Sequence, residues 1–518
     1  MKRDGHMESL WQATTGSRTT PSYNREPQPA LTYDVVIVGA GMTGVTTALL
    51  LQKKGFNVLL AEAQNACFGT TGGTTAHLNT LMDTPYPTMI KNFGEAHATG
   101  VATAVRDALL HIRANISEYN IDCGYNIEDA FLYAQDDQQE KELEDILLAT
   151  KKVGIEVEQS SDSPVPVPFT KGLRFPGNAR FHPTRYVMPL LEEFIKLGGE
   201  YRDNCRVTQV EEAARLTIHT TQGEFFAHRL IYATHIPPGV NLLHFRCAPY
   251  RSYAIAVELE DEAQYPGGLA YDMYDPYHYF RTQEVDGQKY LIAGGEDHKT
   301  GHHENTETCF MLLEAYVRTH FAVKQVAYKW SSQYFEPTDG LPYIGLLPGA
   351  NSDNIYVATG YGGNGMVYSH VAALTFAEMF IDKQSNLEKL FDPNRVKPVA
   401  GFASFVKESA DVAGLLFSKL KPPPTLDTLA DLAPGEARIV KYEGTKLAVY
   451  KHESGELFMT SAACTHIQCD VAWNSAEKSW DCPCHGSRFS YTGEMLTGPA
   501  RKDLSDYDMQ SAKITSKS

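Results

Sequence analysis

Near the C-terminal end, CTHIQC (464–469) and CPCHGS (482–487) present Cys464-x-His466 and, after fifteen intervening residues, Cys482-x-x-His485. Thiolates and imidazoles bind borderline and soft metals, and these four suit either a zinc ion or a [2Fe–2S] cluster with Cys on one iron and His on the other. Structural zinc sites usually group like ligands in pairs. Here each loop brings one Cys and one His, as symmetric presentation to a two-iron core requires, so the spacing favours the cluster and leaves zinc as the alternative.

A second constellation lies near the other end. Gly39, Gly41 and Gly44 form G-x-G-x-x-G directly after the expected strand 34–38 and before an apolar-periodic stretch that ends at Lys54, with Gly55 beyond it. Glycines there permit a tight turn, close approach of a pyrophosphate and packing of helix on strand, while the helix N-terminus at Met42 and Thr43 offers unpaired N–H donors. Glu62 closes the next strand 23 residues after Gly39, where it can accept the ribose hydroxyls and disfavours a 2′-phosphate. The motif alone does not say which dinucleotide is bound.

Positioning these groups requires several units. Residues 1–31 are polar and rich in Thr, Pro and Ser, which predicts a surface tail or a lid strapped across the body. Residues 32–395 start and finish with strand, Gly-rich turn and helix (33–62 and 354–380), and enclose an α+β middle with helices over 140–153 and 189–197. Residues 396–424 combine a helix-like stretch (403–420) with KPPPT, a semi-rigid spacer. From 425 to 518, short strand-like runs between Gly-containing turns predict a small all-β module.

Composition narrows the classes. With 46 Lys plus Arg against 63 Asp plus Glu, the net charge is −17, which disfavours nucleic acid as a partner. No secretory h-region follows Lys2 and Arg3, and no apolar run reaches the ~20 residues of a transmembrane segment, so a cytoplasmic location is expected.

The first unit, GTTGGTTAH (69–77), RLIYATH (229–235), and DGLPYIG followed by ATGYGGNGM together resemble the D-amino-acid-oxidase-like family of FAD-dependent amine and amino-acid oxidoreductases, over about 31–385. The resemblance implies an α/β FAD-binding, Rossmann-like domain with an interleaved α+β substrate domain. It implies that Gly39 to Gly44 and Glu62 hold the ADP half of FAD, and that Thr70 and Thr71 sit near the pyrophosphate and ribityl. Val207 would meet adenine by its backbone, with Ala233 and Thr234 beside it. Gly363, Asn364, Gly365 and Met366 would aim N–H groups at the flavin, favouring its anionic reduced form. His235 departs from the family's usual Ala-Thr-Gly strand end. The alignment of Gly69 places Gly73 where relatives link flavin covalently, so noncovalent FAD is expected, with His77 and Cys67 as the alternative attachment points.

CTHIQC with CPCHGS closely resembles the Rieske proteins, over about 425–510. The resemblance makes Cys464, His466, Cys482 and His485 the metal ligands and Cys469 with Cys484 a disulfide clamping the two loops, protected by burial in a reducing compartment. Ser487 matches a hydroxyl donor to the cluster. Phe489 stands where a Tyr donor is common and Gln468 where Gly is usual, which predicts a potential below the respiratory type and above plant-type ferredoxins. Gly498-Pro499-Ala500 resembles the loop that covers the cluster.

Two centres of unlike electron stoichiometry suggest a converter. The expectation is a dehydrogenase that oxidises the C–N bond of an amine or amino acid and passes electrons singly through the Rieske centre to an acceptor protein or quinone. The alternatives are the reverse flow, from a donor through the cluster to FAD, and a redox sensor without turnover. Tyr271 and Arg281, in YDMYDPYHYFR, are the substrate-wall candidates: the tyrosines to cage an amine, the guanidinium to pair a carboxylate. His278, His298, His302 and His303 read as solvated, and Cys123, Cys205, Cys247 and Cys309 as core thiols.

Overall fold

The computed structural model describes residues 3–15, 31–381, 385–395, 411–412, 432–442, 444–508 and 513–515. The spacer KPPPT, and all of the expected helix 403–420 except 411–412, lie outside the described residues. No helix among the described residues is long and apolar enough to cross a membrane.

The strand Thr32–Val38, the helix Met42–Lys53 and the strand Val58–Ala61 form the first β-α-β unit. Thr32–Val38 pairs in parallel with Val58–Ala61 on one side and Gly223–Tyr232 on the other, and Gly223–Tyr232 pairs in parallel with Ile355–Thr359. Such strands are covered on both faces, which is why VVIV and VLLA are continuous apolar runs with no exposed position. The late helix Gly365–Ile381 packs beside Met42–Lys53, so the two Gly-rich turns open onto one edge of the sheet. A second sheet runs from Val323–Pro337 through Cys247–Leu259, Gln288–Lys299, Tyr279–Val285, Leu269–Tyr271, Asn126–Ala134 and Lys171–Arg180 to His77–Leu78. The two middle helices are Asp137–Lys152 and Pro183–Lys196. Asp136, accepting from the N–H groups of Gln138 and Gln139, and Pro183 in the first turn set starts earlier than periodicity suggests. The C-terminal unit is made of antiparallel strands in two small sheets, one headed by Ala437–Tyr442 and one by Ala472–Asn474.

Residues 3–15 are not a surface tail. They form a buried strap whose short helix Leu10–Thr14 is capped by Ser9. Leu10 and Trp11 are fully buried, and the Trp11 ring packs edge-on to His182 at 4.9 Å. Two adjacent large apolar residues find their burial in the core of the large domain, against His182 and Trp330, while Arg3, Asp4 and His6 before them reach the C-terminal head. Asp4 N–H donates to Phe68 O (3.1 Å) and Ser9 Oγ to Gly72 O (2.5 Å).

The seam between the large domain and this head holds three cations and three carboxylates, all buried. Arg3 of the strap reaches Glu477 of the head (3.3 Å). Glu477 also accepts from Ser331 Oγ (2.6 Å) and His6 N–H (2.7 Å). Arg488 bonds Asp481 (3.1 Å) and Asp4 (3.2 Å), and Arg251 of the large domain lies 3.7 Å from Asp481. Burial alone would raise the Glu477 carboxyl, but Arg3, Arg251 and Arg488 outweigh it and hold the pKa down at about 2. A buried pair gives little net stability over an apolar one, yet losing one partner leaves an uncompensated charge.

Glu477→Gln is therefore expected to destabilise the protein by about 3 kcal/mol at neutral pH. A depressed carboxyl stabilises above its unfolded value of 4.5, and that contribution is lost as pH falls through about 2. Thermal unfolding of both proteins across this range should show the gap closing with acid; a gap that stays constant contradicts the assignment.

Candidate functional site

A cavity of about 320 Å³ opens at the carboxyl ends of the parallel strands, where open α/β sheets bind ligands. Gly39, Gly41, Met42 and Thr43 line its first turn, with Glu62 beside them. Glu62 accepts from Ala40 N–H (2.8 Å) and Gln64 N–H (2.9 Å), which fixes the carboxylate, while burial raises its pKa. Gly44 does not line the cavity. A Cβ there would stand 1.8 Å from Gly39 O, so its part is the close packing of helix on turn. At Gly39, φ is +105° and a Cβ would lie 2.6 Å from Ala233 O. Thr70, Thr71, Val207, Ala233 and Thr234 all line the same space. Thr71 Oγ1 accepts from Met42 N–H (3.0 Å), and Thr70 Oγ1 donates to Gln333 O (3.2 Å).

His235, the departure from Ala-Thr-Gly, takes the left-handed conformation (φ 69°) that glycine would adopt. Its ring packs edge-on to Phe335 at 4.7 Å, which offsets part of a backbone cost of about 1–2 kcal/mol. Gln468 is also left-handed (φ 66°), again where glycine is usual.

At the far end of the cavity stand Gly363, Asn364, Gly365 and Met366. The Gly363 N–H does not point at open space: it donates to Asp83, whose own N–H donates to Asn364 Oδ1 (2.8 Å). Gly365 and Met366 begin the helix, where N–H groups have no intrahelical partner. Tyr271, Tyr277, Tyr279 and His77 wall this end. The His77 ring lies 5.4 Å from both Tyr271 and Tyr279.

Arg281 is not at the cavity surface, which corrects its expected role in binding a carboxylate. It is fully buried behind the wall, and its three nitrogens donate to Thr75 O (2.6 Å), Gln283 Oε1 (2.7 Å) and Phe181 O (3.2 Å). His278 is likewise not solvated. Burial would lower its pKa, but the bond to Asp272 (2.8 Å) and the nearby Glu296 raise it to about 9, and the ring stacks on Tyr316 at 3.8 Å. Two acids that the sequence did not single out, Asp83 and Asp297, also line the cavity. Burial pushes their pKa values up, to about 6 and about 7.

In the head, Cys464, Cys482 and His485 are buried and His466 is half-buried. The loops are shaped by Cys464 N–H to Cys469 O (2.8 Å) and Cys482 N–H to Ser487 O (2.7 Å). The Cys469 and Cys484 sulfurs are in bonding contact across them. His466 Nε2 lies 3.0 Å from Gly239 O, so it carries the proton and leaves Nδ1 as the ligating lone pair. His466 Nδ1 and both ring nitrogens of His485 are buried without hydrogen-bond partners. Such orphaned imidazole nitrogens next to two thiols fit a metal cluster.

The two histidines face the large domain. His244 lies 4.8 Å from the His466 ring and 5.6 Å from His485, and Phe245 lies 5.4 Å from His485. The head in turn closes the dinucleotide cavity: Met495, Thr497, Gly498 and Arg501 line it, and Arg206 donates to Met495 O (3.3 Å).

A flavin-type dinucleotide fold joined to an iron–sulfur head defines a two-centre oxidoreductase. Residues 34–379 match the family described as FAD dependent oxidoreductase (DAO), and residues 425–508 match the Rieske [2Fe-2S] domain. The chain belongs to the DAO family of FAD-dependent oxidoreductases and carries a C-terminal Rieske domain, which makes FAD and a [2Fe–2S] cluster its cofactors. It is 32% identical to the Bacillus subtilis protein YhfW, named as a Rieske 2Fe-2S iron–sulfur protein, over 97% of this chain and 98% of that one. It is 24% identical to the γ-glutamylputrescine oxidoreductase of Escherichia coli, over 68% of this chain and 84% of that one. Among solved structures, glycine oxidase from Geobacillus kaustophilus superimposes with a TM-score of 0.59 at 16% identity, over 70% of this chain and 99% of that one, a likeness of fold.

Gly39→Ala should lower FAD per chain about tenfold or more while leaving iron content unchanged, because the clash falls between the first turn and Ala233, away from the cluster loops. Flavin absorbance and iron assay on the purified variant check this; equal loss of both, or retention of FAD, contradicts it.

Proposed function

We propose that this enzyme oxidises the C–N bond of an amine or amino acid and passes the electrons one at a time through its own Rieske centre to an external acceptor, a protein or a quinone. Bound FAD supplies a two-electron oxidation and single-electron release, and the cluster carries one electron at a time. The C–N single bond becomes C=N, two electrons and two protons leave the substrate, and two successive one-electron transfers through the cluster discharge them.

In this reading the first turn and Glu62 hold the ADP half of FAD. Val207, Ala233 and Thr234 flank the adenine side, and Thr70 and Thr71 the pyrophosphate. Gly365 and Met366 face the flavin, since Asp83 takes the Gly363 N–H. Cys464, His466, Cys482 and His485 hold the cluster, and Cys469 with Cys484 form a disulfide that clamps its loops.

The observation that carries the proposal is Gln333. Its carbonyl accepts from Thr70 in the FAD cavity (3.2 Å), and its side-chain Nε2 donates to Gly486 O in the cluster loop (2.8 Å). One residue thus spans the two sites. The cavity wall and the cluster histidines are also joined by the segment from His235, at the cavity, to His244, against His466.

Anaerobic rapid mixing of the full chain with excess reducing substrate tests the direction. Flavin bleaching should precede cluster reduction, with the second phase independent of protein concentration. Cluster reduction that leads the flavin, or full peroxide-producing turnover with a permanently oxidised cluster, overturns the proposal.

A further inference from the structure

We propose that the flavin-facing end of the cavity takes an alkylamine as its cation, with no carboxylate beside the reacting carbon, the ammonium being held by Asp297 among tyrosine faces. The inference rests on reading the cavity as the site of a flavin-dependent amine or amino-acid oxidoreductase, and chooses between those two classes.

Recognition of an α-amino acid needs a cation for its carboxylate. The residues that line the cavity include two guanidiniums, Arg206 and Arg501, and both stand at the end closed by the Rieske head, engaged with Met495 O (3.3 Å) and Pro238 O (3.2 Å). Arg281, the cation nearest the tyrosines in sequence, is fully buried with every nitrogen donating to protein oxygens. Burial and the positive Arg281 push the His77 pKa well down, so His77 meets the substrate as a neutral ring.

What this end does offer is acidic: two carboxyls whose pKa values burial raises and which a bound cation would draw into the ionised form. Asp83 and Asp297 share it with Tyr271, Tyr277 and Tyr279. Asp83 is committed to the Gly363 N–H at the helix start. Asp297 accepts from Tyr334 OH at Oδ2 (2.9 Å), while its Oδ1 is buried without a well-formed hydrogen bond, the Ser252 hydroxyl being the polar group beside the carboxyl. A buried carboxylate oxygen lacking such a bond is costly unless a bound group supplies one. The ring centroids of Tyr277 and Tyr279 are 5.5 Å apart, which makes a surface on which an ammonium gains cation–π attraction, and a net charge of −17 draws cations toward the molecule. A substrate carboxylate in the same place would face two acids and no cation.

Equilibrium titrations of the full-length, FAD-loaded protein decide this without turnover. tert-Butylammonium, which carries N–H donors but has no hydrogen on the carbon that would be oxidised, should perturb the flavin visible spectrum to saturation, and acetate should not. Asp297→Asn should weaken the cation about tenfold, and Asp297→Glu should restore most of the affinity. In anaerobic mixing, butylamine should reduce the flavin and glycine and alanine should not. Acetate binding in place of the cation, unaltered cation affinity in Asp297→Asn, or reduction by amino acids with alkylamines silent would each overturn the proposal while leaving electron transfer through the cluster intact. An FAD-loaded chain that no amine and no amino acid reduces would overturn this inference and the activity on which it rests. The wild-type comparison of cation with acetate stands even if a variant fails to fold.

Discussion

The six buried charges in the seam, Arg3, Arg251 and Arg488 against Asp4, Glu477 and Asp481, decide how this molecule is put together. Each would be expensive alone in a low-dielectric interior, and each is tolerable only if the N-terminal strap, the large domain and the head arrive together. Such a set gives little net stability over an apolar seam, and its effect is geometric: no one of the three segments can leave without stranding charge. Close backbone approaches reinforce it. A Cβ on Gly486 would stand 2.7 Å from Pro249, and one on Gly301 would stand 2.9 Å from Pro483. Glycine at these two positions lets the cluster loop press directly against the large domain.

The position of the head follows from that seam and, in the proposed function, sets the electron path. Its histidines look inward at His244 and Phe245, and its Met495 to Arg501 loop finishes the wall of the dinucleotide cavity. For the proposed transfer, holding the two centres on one rigid frame would remove a diffusional docking step from every electron passed. Gln333 belongs to this logic, since a single strand residue contacts the flavin side through its carbonyl and the cluster side through its amide.

Much of this was legible in the sequence because the residues that make each turn are close neighbours in the chain. The Gly39 to Gly44 turn and the two Cys-x-His-type loops carry their own geometry, and the β-α-β context around the first is apolar by necessity. The fate of Arg281 was not legible. It shares one face of a strand with Tyr279, yet the tyrosine meets the cavity while the arginine is buried under Trp11, 5.1 Å away, a position set by a strap more than 250 residues distant in sequence. Asp83, in the loop after His77–Leu78, and Asp297, on Gln288–Lys299, carry no local motif and come to one cavity only when distant segments of the second sheet assemble. The strap itself left one signal, the adjacent Leu10 and Trp11 in an otherwise polar segment, and composition averaged over residues 1–31 hid it.

In the proposed function, a head held by a buried seam transfers electrons without moving. The most direct measurement is the rate of flavin-to-cluster electron transfer in the full chain as solvent viscosity is raised with glycerol. A rate that stays unchanged across a several-fold rise in viscosity is the result a fixed head predicts. A rate that falls in proportion to viscosity would mean that the head swings to reach its partner, and would contradict the rigid arrangement on which the shared cavity and the inward-facing histidines depend.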